Sequence, residues 1–101
     1  MKFTAKADAN QPVIVKALRS SGASVQHLHS VGAGCPDLLC AIDGVNFLIE
    51  VKDGSKDASG QKLKPTQVSW HAAWKAPVYV INSVPAAIEL VQKIRDESHA
   101  H

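Results

Sequence analysis

The sequence predicts an α/β domain with a mixed central sheet, its elements running helix, strand, strand, strand, helix, strand, helix. Three observations carry this reading. Apolar residues switch between helical spacing and strand alternation along a chain of 101 residues. An Asp43-Gly44 pair separates two apolar runs, the mark of a two-residue hairpin turn. Both faces of that hairpin are largely apolar, as in central strands covered by helices on both sides rather than in a solvent-facing meander.

Taken in order, residues 8–21 place Val13, Ile14, Ala17 and Leu18 at helical spacing, with Lys16 and Arg19 on another side and Gly22 as the stop. Residues 25–30 read as a short strand. Gly32-Ala33-Gly34 is a bend before Pro36 sets the direction of the hairpin. Within the hairpin, Leu38, Cys40, Ile42, Val45, Phe47, Ile49 and Val51 share one face. Leu39, Ala41 and Leu48 lie on the other, among Asp37, Asn46, Glu50 and Lys52. Residues 53–64, rich in Gly, Ser, Asp and Lys, break every periodicity and are expected to form a mobile loop. Pro65 suits the first turn of a helix over 65–74, with Gln67 and His71 four apart on one side and Trp70 and Trp74 four apart on another. Residues 77–81 form an apolar strand. Ser83 or Asn82 caps a last helix built on Ala87, Ile88, Val91 and Ile94, with Pro85 in its first turn.

The length suits one domain, expected over 1–97 with a disordered tail over 98–101. No apolar run approaches the roughly 20 residues that span a bilayer. The N-terminus, where Lys2, Lys6 and Asp8 interrupt few apolar residues, lacks a secretory h-region, so a cytoplasmic location is expected. The net charge of +2 permits a nucleic-acid partner without demanding one. Local clustering says more: Lys52, Lys56, Lys62 and Lys64 crowd the segment after the hairpin, where they suit either a phosphate backbone or a plainly solvated loop. Cys35 and Cys40 form no CxxC pair and are read as reduced thiols.

Counting outward from Asp43-Gly44 pairs Ile42 with Val45, Cys40 with Phe47, and finally Asp37 with Glu50. Carboxylates so opposed sit roughly 4.5–5.5 Å apart at Cβ and repel each other, so a positive partner is expected between them. Lys52 alternates onto the same face as Glu50. Two carboxylates and an ammonium suit a hard cation with an activated water beside it. An ordinary surface ion-pair cluster is the competing explanation, against which the apolar flanks argue.

Gly34-Cys35-Pro36-Asp37, the hairpin, Glu50-Val51-Lys52-Asp53-Gly54 and the Pro65-Thr66-Gln67 helix start, in that order, resemble the PD-(D/E)XK nuclease superfamily. Within it the chain is similar to the small VRR-NUC-like and Holliday-junction-resolvase-like nucleases, over nearly its whole length. The resemblance implies a restriction-endonuclease-like core and DNA phosphodiester hydrolysis on junction, branched or duplex DNA, with Mg²⁺ or Mn²⁺ bound by Asp37, Glu50 and the Val51 carbonyl. It further implies that Lys52 orients or deprotonates the attacking water and that Gln67 helps hold water, lysine or phosphate. Lys56, Lys62 and Lys64 would meet the nucleic acid, and a homodimer is expected, since two sites related by a twofold axis can cut paired strands. One departure stands out. Relatives commonly carry an acidic residue in the first helix, expected here at position 13, which is Val13; Gln11 or Asp8 are possible substitutes.

That departure keeps a second reading open: a weak or inactive relative that binds branched or single-stranded nucleic acid, with Trp70 or Trp74 stacking on bases. Core packing is the plainer role for at least one tryptophan. A third reading makes the chain a metal-binding or thiol-based regulator using His27, His29, Cys35 and Cys40, because His27 and His29 alternate onto one strand face and could share an ion.

Overall fold

The computed structural model describes residues 8–100; Lys2 and Lys6 at the N-terminus and His101 of the expected tail lie outside them. The elements are α1 (Gln11–Ser20), β1 (Ser24–His27), β2 (Leu38–Ile42), β3 (Val45–Val51), a 3₁₀ turn (Ser59–Gln61), α2 (Pro65–Ala73), β4 (Val78–Ile81) and α3 (Val84–Ser98). The predicted order of elements is the observed one.

The hairpin turn sets the register. Asp43 and Gly44 adopt φ of 50° and 79°, the pair of positive values that a type I′ turn needs. Ile42 therefore pairs with Val45, Cys40 with Phe47 and Leu38 with Ile49, as counted from the sequence. β1 lies antiparallel to the outer side of β2, and β4 runs parallel to β3, giving the order β1-β2-β3-β4. The parallel partner requires a crossover, which the segment after β3 and α2 supply.

The core lies between one sheet face and two helices. Ile14, Val15 and Leu18 of α1 and Ala87, Leu90, Val91 and Ile94 of α3 pack on Leu38, Cys40, Ile49 and Val51. Ser83 caps α3, its Oγ accepting from the Ala86 amide at 3.2 Å. The cover expected on both faces is only half realised: α2, nine residues long, has no buried residue, and Leu39 and Val80 stay exposed on its side of the sheet. Nor does either tryptophan join the core. Trp70 and Trp74 stack on each other, centroids 4.7 Å apart, and line a cavity of about 540 Å³ with Leu39 and Leu48.

Other boundaries shift for local reasons. α1 begins at Gln11 rather than near Asp8 because Pro12 fits the first turn of a helix but would break one already running from residue 8; the Asn10 side chain does not cap it but donates to the Lys52 carbonyl at 2.9 Å and the Asn82 carbonyl at 3.3 Å. β1 ends at His27, after which the Leu28 amide bonds the Asp37 carbonyl and the chain turns. Ser98, expected in the tail, is the last residue of α3, its hydroxyl bonded to the Arg95 carbonyl.

The segment over 53–64, expected to be a mobile loop, is a run of hydrogen-bonded turns. Asp53 Oδ1 accepts from the amide and hydroxyl of Ser55, and Asp57 Oδ1 from Ser59 Oγ and the Gly60 amide. These bonds hold both carboxyls below the usual carboxylate range. Gln61 ties the run to the Lys56 carbonyl and to Asn82.

Candidate active site

Asp37, Glu50, Lys52 and Gln67 converge at the end of β3. Asp37, just before β2, folds its side chain over the strand end, and its Oδ2 accepts from the Val51 amide at 2.8 Å. Glu50 points away from the core and is 2% exposed. Its Oε2 accepts from Gln67 Nε2 at 2.9 Å and lies 3.6 Å from Lys52 Nζ. Lys52, 7% exposed, donates to Gln67 Oε1 at 2.9 Å. The same Gln67 oxygen accepts from the Lys64 amide, which fixes the amide plane to the first turn of α2.

Gly34 makes this placement of α2 possible. A Cβ there would sit 2.2 Å from the Thr66 carbonyl oxygen, and the backbone adopts φ of +88°. Only glycine lets the bend before Asp37 and the helix start approach so closely.

Burial dominates the electrostatics. It pushes the Glu50 carboxyl up to about 8, aided by the nearby Asp37 carboxylate and opposed by Lys52. Glu50 Oε1 is buried with no hydrogen-bond partner. A buried anionic oxygen without a donor costs several kcal/mol on the order of the desolvation penalty, so the geometry favours a proton or a cation at that atom. A hard divalent ion fits: Asp37 and Glu50 are oxygen donors, and Mg²⁺ retains several waters of its own. Among the described residues no group of three or more His, Cys, Asp or Glu converges as a ligand set. The same observation removes the basis for a histidine–cysteine metal centre. Burial pushes the core thiol Cys40 up to about 12, and burial with the Glu50 and Asp37 charges raises Cys35, so both stay protonated.

A cavity of about 580 Å³ opens over these groups, lined also by Asp8, Lys56, Lys62 and Lys64. Lys56 Nζ lies 3.7 Å from Asp8 Oδ1. Val13 does not face this cavity. It is 53% exposed and lines a separate hollow with Asn10, Asp53 and Asn82, so an acidic residue at position 13 would point elsewhere. The carboxylate that α1's leading end brings to the site is Asp8.

No protein-family model and no curated protein matches the sequence. Among solved structures, a VRR_NUC domain matches over 84% of this chain and 97% of its own, with a TM-score of 0.63 and 26% identity. The chain is similar to that VRR_NUC domain over most of both lengths. Sequence reasoning named Asp37, Glu50, Lys52 and Gln67, which the fold brings together, but assigned no role to His71. Its Nε2 is buried without a partner one turn beyond Gln67, and burial together with the Lys52 charge lowers its pKa, so it stays neutral beside the lysine. The four-residue spacing of Gln67 and His71 was the available signal. Among the described residues, no helix is long and apolar enough to cross a membrane.

Proposed function

We propose that this domain is a Mg²⁺- or Mn²⁺-dependent endonuclease that hydrolyses phosphodiester bonds in junction or branched DNA. The observation that carries the reading is the convergence of Asp37, Glu50, Lys52 and Gln67 around a buried carboxylate oxygen that has no donor. Asp37, Glu50 and the Val51 carbonyl would hold the cation. When bound, such an ion polarises a phosphoryl oxygen and acidifies a water.

The chain's own residues do the rest. Lys52, held by Gln67, orients the attacking water and offsets charge that develops on the phosphoryl oxygens. Gln67 acts as a positioning residue, keeping Lys52 and Glu50 in register. Lys56, Lys62 and Lys64, on the cavity wall, neutralise the DNA backbone. The similarity to a VRR_NUC domain supports nuclease chemistry, and the family expectation of DNA as substrate is adopted with it. A homodimer in the cytoplasm completes the reading; the exposed Leu39, Val68, Trp74 and Val80 around α2 support a partner of the same chain. The non-cutting alternative depended on Val13, which lies outside the cavity.

Cleavage assays with Mg²⁺ and Mn²⁺ on Holliday junction, flap, splayed and linear DNA test the proposal, with Asp37→Ala as control. Metal-dependent products from the parent chain and none from the variant are expected. Equal cleavage by both sinks the assignment.

A further inference from the structure

Asn10 is the residue before α1, where an asparagine ordinarily caps the helix by accepting from an amide of its first turn. Here it makes no capping bond, and its Oδ1 is buried without a partner. Its Nδ2 instead reaches a residue 42 positions along the chain, donating to the Lys52 carbonyl at 2.9 Å, and it also meets the Asn82 carbonyl at 3.3 Å. Carbonyl oxygens only accept, so the side-chain amide must present its nitrogen to both. A local role has been given up for a tertiary one.

That bond falls at the end of β3. In an extended strand the N–H and C=O of one residue point to the same side, and those of the next residue to the other. The Val51 amide faces the β2 side, where it donates to Asp37 Oδ2 at 2.8 Å, and the Lys52 amide faces β4, donating to the Ile81 carbonyl at 2.9 Å. The Lys52 carbonyl points the same way as its amide. A parallel ladder would bring it the amide of residue 83, but β4 stops at Ile81 and Ser83 turns to cap α3. The Asn10 side chain stands in for that missing bond.

Both peptide groups that flank the Lys52 Cα are thereby tied, the first by Ile81 and the second by Asn10. Held at both ends, the residue cannot turn about φ and ψ, and the direction in which Cβ leaves the backbone is fixed. The consequence appears at the far end of the side chain. There Nζ meets Gln67 Oε1 at 2.9 Å and lies 3.6 Å from Glu50 Oε2, a placement that a flexible four-carbon stem holds from a fixed root. We propose that Asn10 is a positioning residue for Lys52, acting through the backbone rather than on the reacting atoms. Its use in cleavage rests on the nuclease reading; the clamp itself does not.

The test compares the full chain with two variants. Asn10→Leu keeps the bulk and removes the donor, whereas Asn10→Ser, as favoured as asparagine before a helix, keeps a hydroxyl too short to reach the carbonyl. Single-turnover cleavage at saturating Mg²⁺ and saturating DNA should slow about 10–100-fold in both, the range for residues that orient catalytic groups. DNA affinity without divalent cations should stay as in the parent, since the clamp acts on the chemical step rather than on binding. In hydrogen exchange followed by NMR, the Lys52 amide should exchange faster while that of Phe47, in the middle of the hairpin, keeps its protection. An unchanged saturated rate overturns the positioning role. So does a rate that falls only in proportion to the fraction folded, read from the thermal midpoint. A parent chain that cuts none of the substrates ends the nuclease reading and with it the use of the clamp in cleavage, whereas faster Lys52 exchange in the variants still establishes the clamp.

Discussion

Lys52 is bound more closely to Gln67 than to its acidic neighbour: its Nζ lies 2.9 Å from Gln67 Oε1 and 3.6 Å from Glu50 Oε2. The amide, not the carboxylate, sets the direction of the ammonium. Gln67→Ala should therefore lower cleavage by about 10–100-fold, the range for residues that orient catalytic or metal-binding groups. The lost donor to Glu50 should also weaken divalent-cation binding, measured by titration calorimetry. Gln67→Glu should not rescue it, because a carboxylate adds a third negative charge and no donor toward Glu50.

Asp37 has two separable duties. It accepts from the Val51 amide, and it offers oxygen to a cation. Asp37→Asn keeps an acceptor for the amide and should unfold near the parent's midpoint while losing metal-dependent cleavage. Asp37→Ala leaves the amide unpaired and should cost about 1–3 kcal/mol in denaturant unfolding.

The raised Glu50 carboxyl makes stability depend on pH. In the unfolded chain it titrates near about 4.3, whereas in the fold burial moves it up to about 8. Between these values the folded state keeps a proton that the unfolded state has released, so stability falls as pH rises and the loss is complete above the folded value. Without divalent ions, the thermal midpoint should drop across this interval, and Glu50→Gln should flatten the slope. Added Mg²⁺ or Mn²⁺ favours the ionised carboxylate, so its stabilisation should grow with pH, with proton release on binding.

Gly34 is where the bend before Asp37 touches α2. Gly34→Ala places a methyl against the Thr66 carbonyl and holds a left-handed φ without glycine. Backbone strain of this kind costs about 1–3 kcal/mol, read by denaturant unfolding. The contact should be relieved by displacing α2, so cleavage should fall more than global stability alone predicts.

Much of the site was legible before the fold. The Asp43-Gly44 turn and strand alternation sufficed to bring Asp37 beside Glu50 and to put Lys52 on the same face, because a tight turn fixes register and a period of two fixes facing. These are relations among residues close in the chain. What only the tertiary structure decided is which side of each helix meets the site. Val13 was expected at the carboxylates and faces a different hollow; Asp8 lines the cavity, and Gln11 is buried beside His27. The rotation of α1 follows from packing Ile14, Val15 and Leu18 against the sheet and α3, whose residues lie far along the chain. The Gln67 bridge depends likewise on Gly34 admitting the start of α2, a contact between segments that no local periodicity relates.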